Sequence, residues 1–129
     1  MNTIFTLDGQ NFSVYAISIH RNFSLKEGSN SGEVMSGRYR RDLIGTYYSY
    51  TLVIDPCQMS RSDYDRLYEL LSAPVESHTL VVPYGQGRIT YEAYITGGDD
   101  DLVMIEDDGS IGWGDLTVQF DAMEPQRRV

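Results

Sequence analysis

Leu116-Thr117-Val118-Gln119-Phe120-Asp121-Ala122 alternates strictly between apolar and polar residues, the period of a pleated strand whose successive side chains point to opposite faces. One face of this strand is wholly apolar and is expected to lie on a core. The same period recurs at Ile17, Ile19, Arg21, Phe23 and Leu25, at Ile44, Tyr48, Tyr50, Leu52 and Ile54, and at Ile89, Tyr91, Ala93 and Ile95. All four segments are expected to face one shared core. Residues 79–84 and 102–105 are continuous apolar runs instead, which reads as strands buried on both faces or covered by another element.

Turn residues separate these runs. Asp8-Gly9 stands between two short apolar stretches, and an Asp-Gly pair suits the positive φ angles of a two-residue hairpin. Gly85-Gln86-Gly87 and Asp108-Gly109 read as further hairpin loops. Residues 27–37, EGSNSGEVMSG, are small and polar enough to form a long mobile or binding loop that orders on a neighbour. One helix interrupts the strands. Ser60 is placed to cap it, Asp63 favours its positive end, and Tyr64, Leu67, Tyr68 and Leu71 form one apolar stripe before Pro74 ends it, so a helix over about 61–72 is expected. Six to eight strands with one helix between the middle ones make an antiparallel β-sandwich or open barrel, mainly β in class.

With 129 residues the chain suffices for one domain, taken as residues 1–129. Hydrophobic residues at 41% and charged residues at 22% argue against both a disordered chain and a membrane protein. Ten Lys and Arg against nineteen Asp and Glu leave a formal charge of −9, a field that opposes the phosphate backbone, so no direct sequence-specific nucleic-acid binding is expected. Cys57 is the only cysteine, which rules out an intramolecular disulfide and fits a reducing compartment. The start, MNTIFTLDGQNF, has neither a basic nor an apolar leader region, and no run approaches a membrane span; neither export signal nor anchor is expected.

No catalytic constellation emerges, and the chain is read as a non-enzyme. Gly28-Ser29-Asn30-Ser31-Gly32 approaches a nucleophile elbow but has Asn30 where the serine belongs. Cys57 with His20 or His78 would need convergence, and a lone cysteine beside a strand end is more often an inert buried thiol. Both histidines read as ordinary surface residues, without zinc-ligand spacing. Asp99-Asp100-Asp101 and Glu106-Asp107-Asp108 offer oxygen ligands for calcium if they converge, yet their spacing fails the EF-hand pattern. A solvated acidic loop is the preferred reading, with no metal and no cofactor. Arg38-Tyr39-Arg40-Arg41 is the one basic cluster with an interleaved aromatic, and it is read as answering the acids, above all Asp99, Asp100 and Asp101, within the chain or on a neighbouring copy. Tyr47 and Tyr84 join these residues as interface candidates; Tyr48, Tyr50, Tyr64 and Tyr68 are assigned to the core.

Three stretches carry a family likeness: residues 41–55, RDLIGTYYSYTLVID; residues 63–84, DYDRLYELLSAPVESHTLVVPY; and residues 113–128, WGDLTVQFDAMEPQRR. Together the chain resembles small prophage-encoded structural proteins of tailed phages of Gram-positive bacteria, and its element order is similar to the tail-tube and distal-tail β-sandwich. The resemblance implies self-association and docking on other phage structural proteins, in the host cytoplasm during assembly and in the virion tail afterwards. It also implies a ring whose acidic loops line a passage for DNA, where like charge prevents sticking. The competing expectation is a monomeric β-sandwich module binding a sugar, a peptide or calcium through the acidic loops and exposed tyrosines; a hydrolase using the clustered carboxylates ranks third.

Overall fold

The alternating segment near the end of the chain becomes strand β12 (Leu116–Ala122) and lies in the middle of a sheet. The computed structural model describes residues 5–11, 15–29, 31–56 and 60–128. In chain order the other strands are β1 (Thr6–Leu7), β2 (Gln10–Asn11), β3 (Tyr15–Glu27), β4 (Gly32–Glu33), β5 (Tyr39–Arg40), β6 (Leu43–Asp55), β7 (His78–Tyr84), β8 (Gly87–Tyr94), β9 (Gly98–Asp99), β10 (Leu102–Ile105), β11 (Ile111–Trp113) and β13 (Arg127–Arg128), with helix α1 (Arg61–Leu71) between β6 and β7. Among the described residues the fold is mainly antiparallel β with one helix, as the alternation implied. Nine strands form one sheet. Strand β6 carries β3 along one edge, with Tyr15 opposite Asp55 and Glu27 opposite Leu43, and β12 followed by β13 along the other. The far edge of β12 takes β8 and β9 end to end, and β7, β1 and β2 follow outward from β8. Strands β4–β5 and β10–β11 are separate two-stranded hairpins.

Register puts the core on one face. Tyr50, Leu52 and Ile54 stand opposite Phe120, Val118 and Leu116, and all six are buried. The sheet then curls. Strands β6 and β7 are three places apart in strand order, about 14 Å if the sheet were flat, yet the Tyr50 hydroxyl donates to the Pro83 carbonyl oxygen at 2.7 Å and the Tyr48 and Tyr84 hydroxyls lie 3.0 Å apart. Phe5, just before β1, meets the Phe120 ring with centroids 6.5 Å apart. The result is an open barrel. Helix α1 starts where Ser60 Oγ accepts the Asp63 N–H at 3.2 Å and buries Tyr64, Leu67 and Leu71 in the same cluster.

The turns form as their residues require. Asp8 and Gly9 both adopt positive φ, 52° and 77°, in the β1–β2 hairpin, and Gly85 at φ 57° opens the two-residue loop between β7 and β8. The closing segment joins the sheet through β13. It fits because Gly45 has no side chain: a Cβ there would stand 2.5 Å from the Arg127 carbonyl oxygen.

Other expectations fail. Ile19, Phe23 and Leu25 lie opposite Leu52, Tyr48 and Thr46, on the core-facing side as read, but they are exposed, Phe23 at 67%, because the barrel closes between β6 and β7 and leaves β3 outside. Ile44 and Tyr68 are exposed too. The run 102–105 is exposed at every position instead of buried on both faces, and residues 79–84 alternate between buried and less buried positions. Residues 27–37 do not form one long loop: β4 and β5 pair into a hairpin. Cys57 and Asn30, singled out in the sequence, lie outside the described residues.

His78 corrects a further expectation. It is 3% exposed, not a surface residue, and its Nδ1 lies 2.6 Å from Asp8 Oδ2, while the Thr79 N–H donates to Asp8 Oδ1 at 2.8 Å. This clasp holds the β1–β2 turn to β7. Burial works against ionisation of Asp8, but the bonds from His78 and Thr79 outweigh it and hold the carboxyl below its ordinary value. A depressed carboxyl contributes stability that is present above its unfolded pKa and lost as pH falls through the folded one. Asp8→Asn is therefore expected to lower the melting temperature at neutral pH and to flatten its decline below about pH 4; a mutant with an unaltered acid limb would sink this assignment. The tyrosines give a contrasting pair. The Tyr91 hydroxyl is buried with no partner among the described residues, whereas that of Tyr50 is bonded. In urea unfolding, Tyr50→Phe is expected to cost about 1 kcal/mol and Tyr91→Phe to be neutral or stabilising.

Candidate functional site

The described side chains assemble contact surfaces more clearly than chemistry. Among the described residues, no three His, Cys, Asp or Glu side chains come together to hold a metal, and no helix is long and apolar enough to cross a membrane. The two acidic triplets do not converge. Strand β10 separates them by four extended residues, roughly 13 Å.

At one end of the molecule is the β4–β5 hairpin. Its tip is a tight turn in which the Gly37 N–H donates to Val34 O and the Val34 N–H to Arg38 O, each at 2.9 Å, with Gly37 at φ 85°. Met35 stands fully exposed at the apex, with Val34 and Tyr39 also exposed. The root is fastened by the Gly28 N–H on Asp42 O and the Asp42 N–H on Ser31 Oγ. Glu27 receives both Arg41, at 3.1 Å, and the Tyr39 hydroxyl, at 3.3 Å. Arg41 thus answers an acid of its own hairpin, while Arg38 and Arg40 make no ion pair among the described residues.

At the other end is the β10–β11 hairpin. Leu102, Val103, Met104, Ile105 and Ile111 are all exposed on it. It is fixed to the body by polar contacts: Tyr64 donates its hydroxyl to Asp100 at 2.5 Å, Arg61 pairs with Glu106 at 3.3 Å, and the Gly114 N–H reaches Asp101 O at 2.6 Å. Burial, then the Asp100 bond and charge, push the Tyr64 phenol upward, so it stays a donor. At the hairpin turn the Ser110 N–H holds the Asp108 carboxyl below its ordinary value. Between this hairpin and α1 lies a cleft of about 620 Å³, walled by Val103, Met104, Ile111 and Trp113 and rimmed by Asp65 and Glu106.

The two ends carry opposite charge. Residues 21–41 hold five of the ten cations, and residues 99–115 hold seven carboxylates and no cation. Asp99 pairs with Thr117, itself opposite Val53, whereas Arg40 precedes the start of β6 at Leu43. Ten strand residues, roughly 33 Å, separate them. Arg38, Arg40 and Arg41 therefore do not meet Asp99, Asp100 and Asp101 within one chain. Tyr47 packs under the Lys26 ammonium at 4.5 Å, and Tyr84 lies edge-on to Tyr48 with Arg21 5.5 Å from its ring. The sequence reading missed the exposed hairpin. Its signal was present: a four-residue apolar run bounded on both sides by three acids has little room to sit inside a core.

No family model and no curated protein matches the chain. Among solved structures, the fold is similar to the Dit protein (gp 19.1) of SPP1, described as a paradigm of the hub adsorption apparatus in phages that infect Gram-positive bacteria. The match has a TM-score of 0.51 at 13% identity and covers 97% of this chain. The chain spans about half, 51%, of that protein's length.

Since the acidic triplets stand apart, millimolar calcium is expected to leave the melting temperature unchanged. A ligand of the folded state at a hundred times its dissociation constant adds about 2.7 kcal/mol, so a clear rise in a thermal shift assay would restore the calcium-module reading.

Proposed function

We propose that this chain is a non-enzymatic structural component of a phage particle, associated with the tail, that acts by self-association and by docking on other virion proteins. One observation carries the reading: an acidic chain leaves two large apolar surfaces uncovered, the β3 face and the β10–β11 hairpin. Contiguous exposed apolar patches mark interaction sites. The likeness of fold to a phage hub protein supports the choice of setting. In this reading the protein gathers in the host cytoplasm and ends in the virion tail, where the loops around Asp99–Asp101 and Glu106–Asp108 face a passage and repel DNA from its wall.

Light scattering across a wide concentration range, with electron microscopy of the large species, tests this. A mass that rises with concentration and closes into rings or tubes is expected. A monomer at every concentration, alone and with tail extracts of a related phage, would defeat the proposal.

A further inference from the structure

One end of the molecule carries an exposed apolar tip with cations unpaired among the described residues and the other an apolar cleft in an acidic stretch, and the two stand apart along β6. The β4–β5 tip is an apolar knob, Val34 and Met35, flanked by Arg38 and Arg40 without ion-pair partners among the described residues. The cleft beside β10–β11 is apolar within, at Val103, Met104 and Trp113, is rimmed by Asp65 and the Arg61–Glu106 pair, and sits beside the seven carboxylates of residues 99–115. We propose that the β4–β5 tip of one copy inserts into the cleft between α1 and the β10–β11 hairpin of the next copy, a pairing that rests on the self-association reading above and gives it its surfaces.

Three observations select a second copy as the occupant. The hairpin bearing the knob leads into β6 at Leu43, whereas Asp99, next to the strand bearing the cleft, aligns with Val53 ten residues or roughly 33 Å further along, so each copy leaves one of each vacant. Their charges are opposite, so a copy meets its neighbour head to tail more favourably than like end to like end. The tip is already shaped by its turn and by the Ser31–Asp42 and Glu27–Arg41 bonds, which lowers the cost of ordering it on contact. Burial of Val34 and Met35 supplies affinity, while Arg38 and Arg40, arriving beside Asp65 and the acidic stretch 99–115, set approach and register. Such a contact is heterologous; it closes into a ring if the rotation permits and otherwise grows as a filament.

The test uses the full chain and two single-surface variants, Met35→Asp at the tip and Val103→Asp in the cleft. Both positions are exposed, and circular dichroism melts confirm folding. By sedimentation velocity each variant alone is expected to be monomeric, with association weakened at least about tenfold. An equimolar mixture should form a dimer and nothing larger, because each variant retains one intact surface. The pair Arg38→Glu with Arg40→Glu should slow association and remove most of its salt dependence. If the unaltered chain associates and both variants keep its mass, the tip-into-cleft contact is wrong while self-association stands. If both variants are monomeric and their mixture stays monomeric, the head-to-tail pairing is wrong. A monomeric unaltered chain at every concentration overturns both readings.

Discussion

The hydrogen bond from the Tyr50 hydroxyl to the Pro83 carbonyl oxygen closes the curl of the sheet, and much of the remaining surface follows from that closure. Once β6 lies against β7, the apolar face of β12, β8 and the inner half of β6 is enclosed, with α1 packed into the same cluster. Strand β3 is left outside. It hydrogen-bonds to β6 along its whole length, yet nothing in the described structure covers Ile19, Phe23 or Leu25. An eleven-residue helix is about 16 Å long and a thirteen-residue strand about 43 Å, so α1 cannot cover both the barrel mouth and the flange.

This explains which parts of the fold could be read from the chain. Strand period, hairpin turns and helix capping are local, and at Leu116–Ala122, Asp8-Gly9 and Ser60 the residues themselves set the outcome. Period assigns a side chain to a face but carries no information on whether that face is covered. Phe23 and Leu25 sit on the expected face and remain exposed because coverage depends on the curl, which arises between strands distant in sequence. His78 was misread for a related reason: its partner, Asp8, lies 70 positions away. The candidate surfaces were legible as compositions, one basic and one acidic, but not as opposite ends of a molecule.

The charge division also works against unwanted association. Among the described residues strand β3 pairs with β6 alone and offers a long free edge, the kind of template on which chains aggregate. Two cations on it are held by aromatic faces, Arg21 by Tyr84 and Lys26 by Tyr47. Charges tethered at such an edge raise the desolvation cost of adding a strand indiscriminately. The acids on either side of β10 guard its apolar run in the same way, so that contact requires a partner able to neutralise them.

The placement of β12 has a further consequence for how the chain comes together in time. It is the centre of the barrel, bonded to β6 on one side and to β8 and β9 on the other, but it is made after every strand it joins. During synthesis the β3–β6 hairpin and the β7–β8 hairpin can form early, each from neighbouring sequence, while their inner faces remain open to water. The barrel is completed only when Leu116–Ala122 leaves the ribosome and bridges them. Contacts of such long sequence separation are slow to form, so the interval before that bridging is when the nascent protein is most exposed to aggregation.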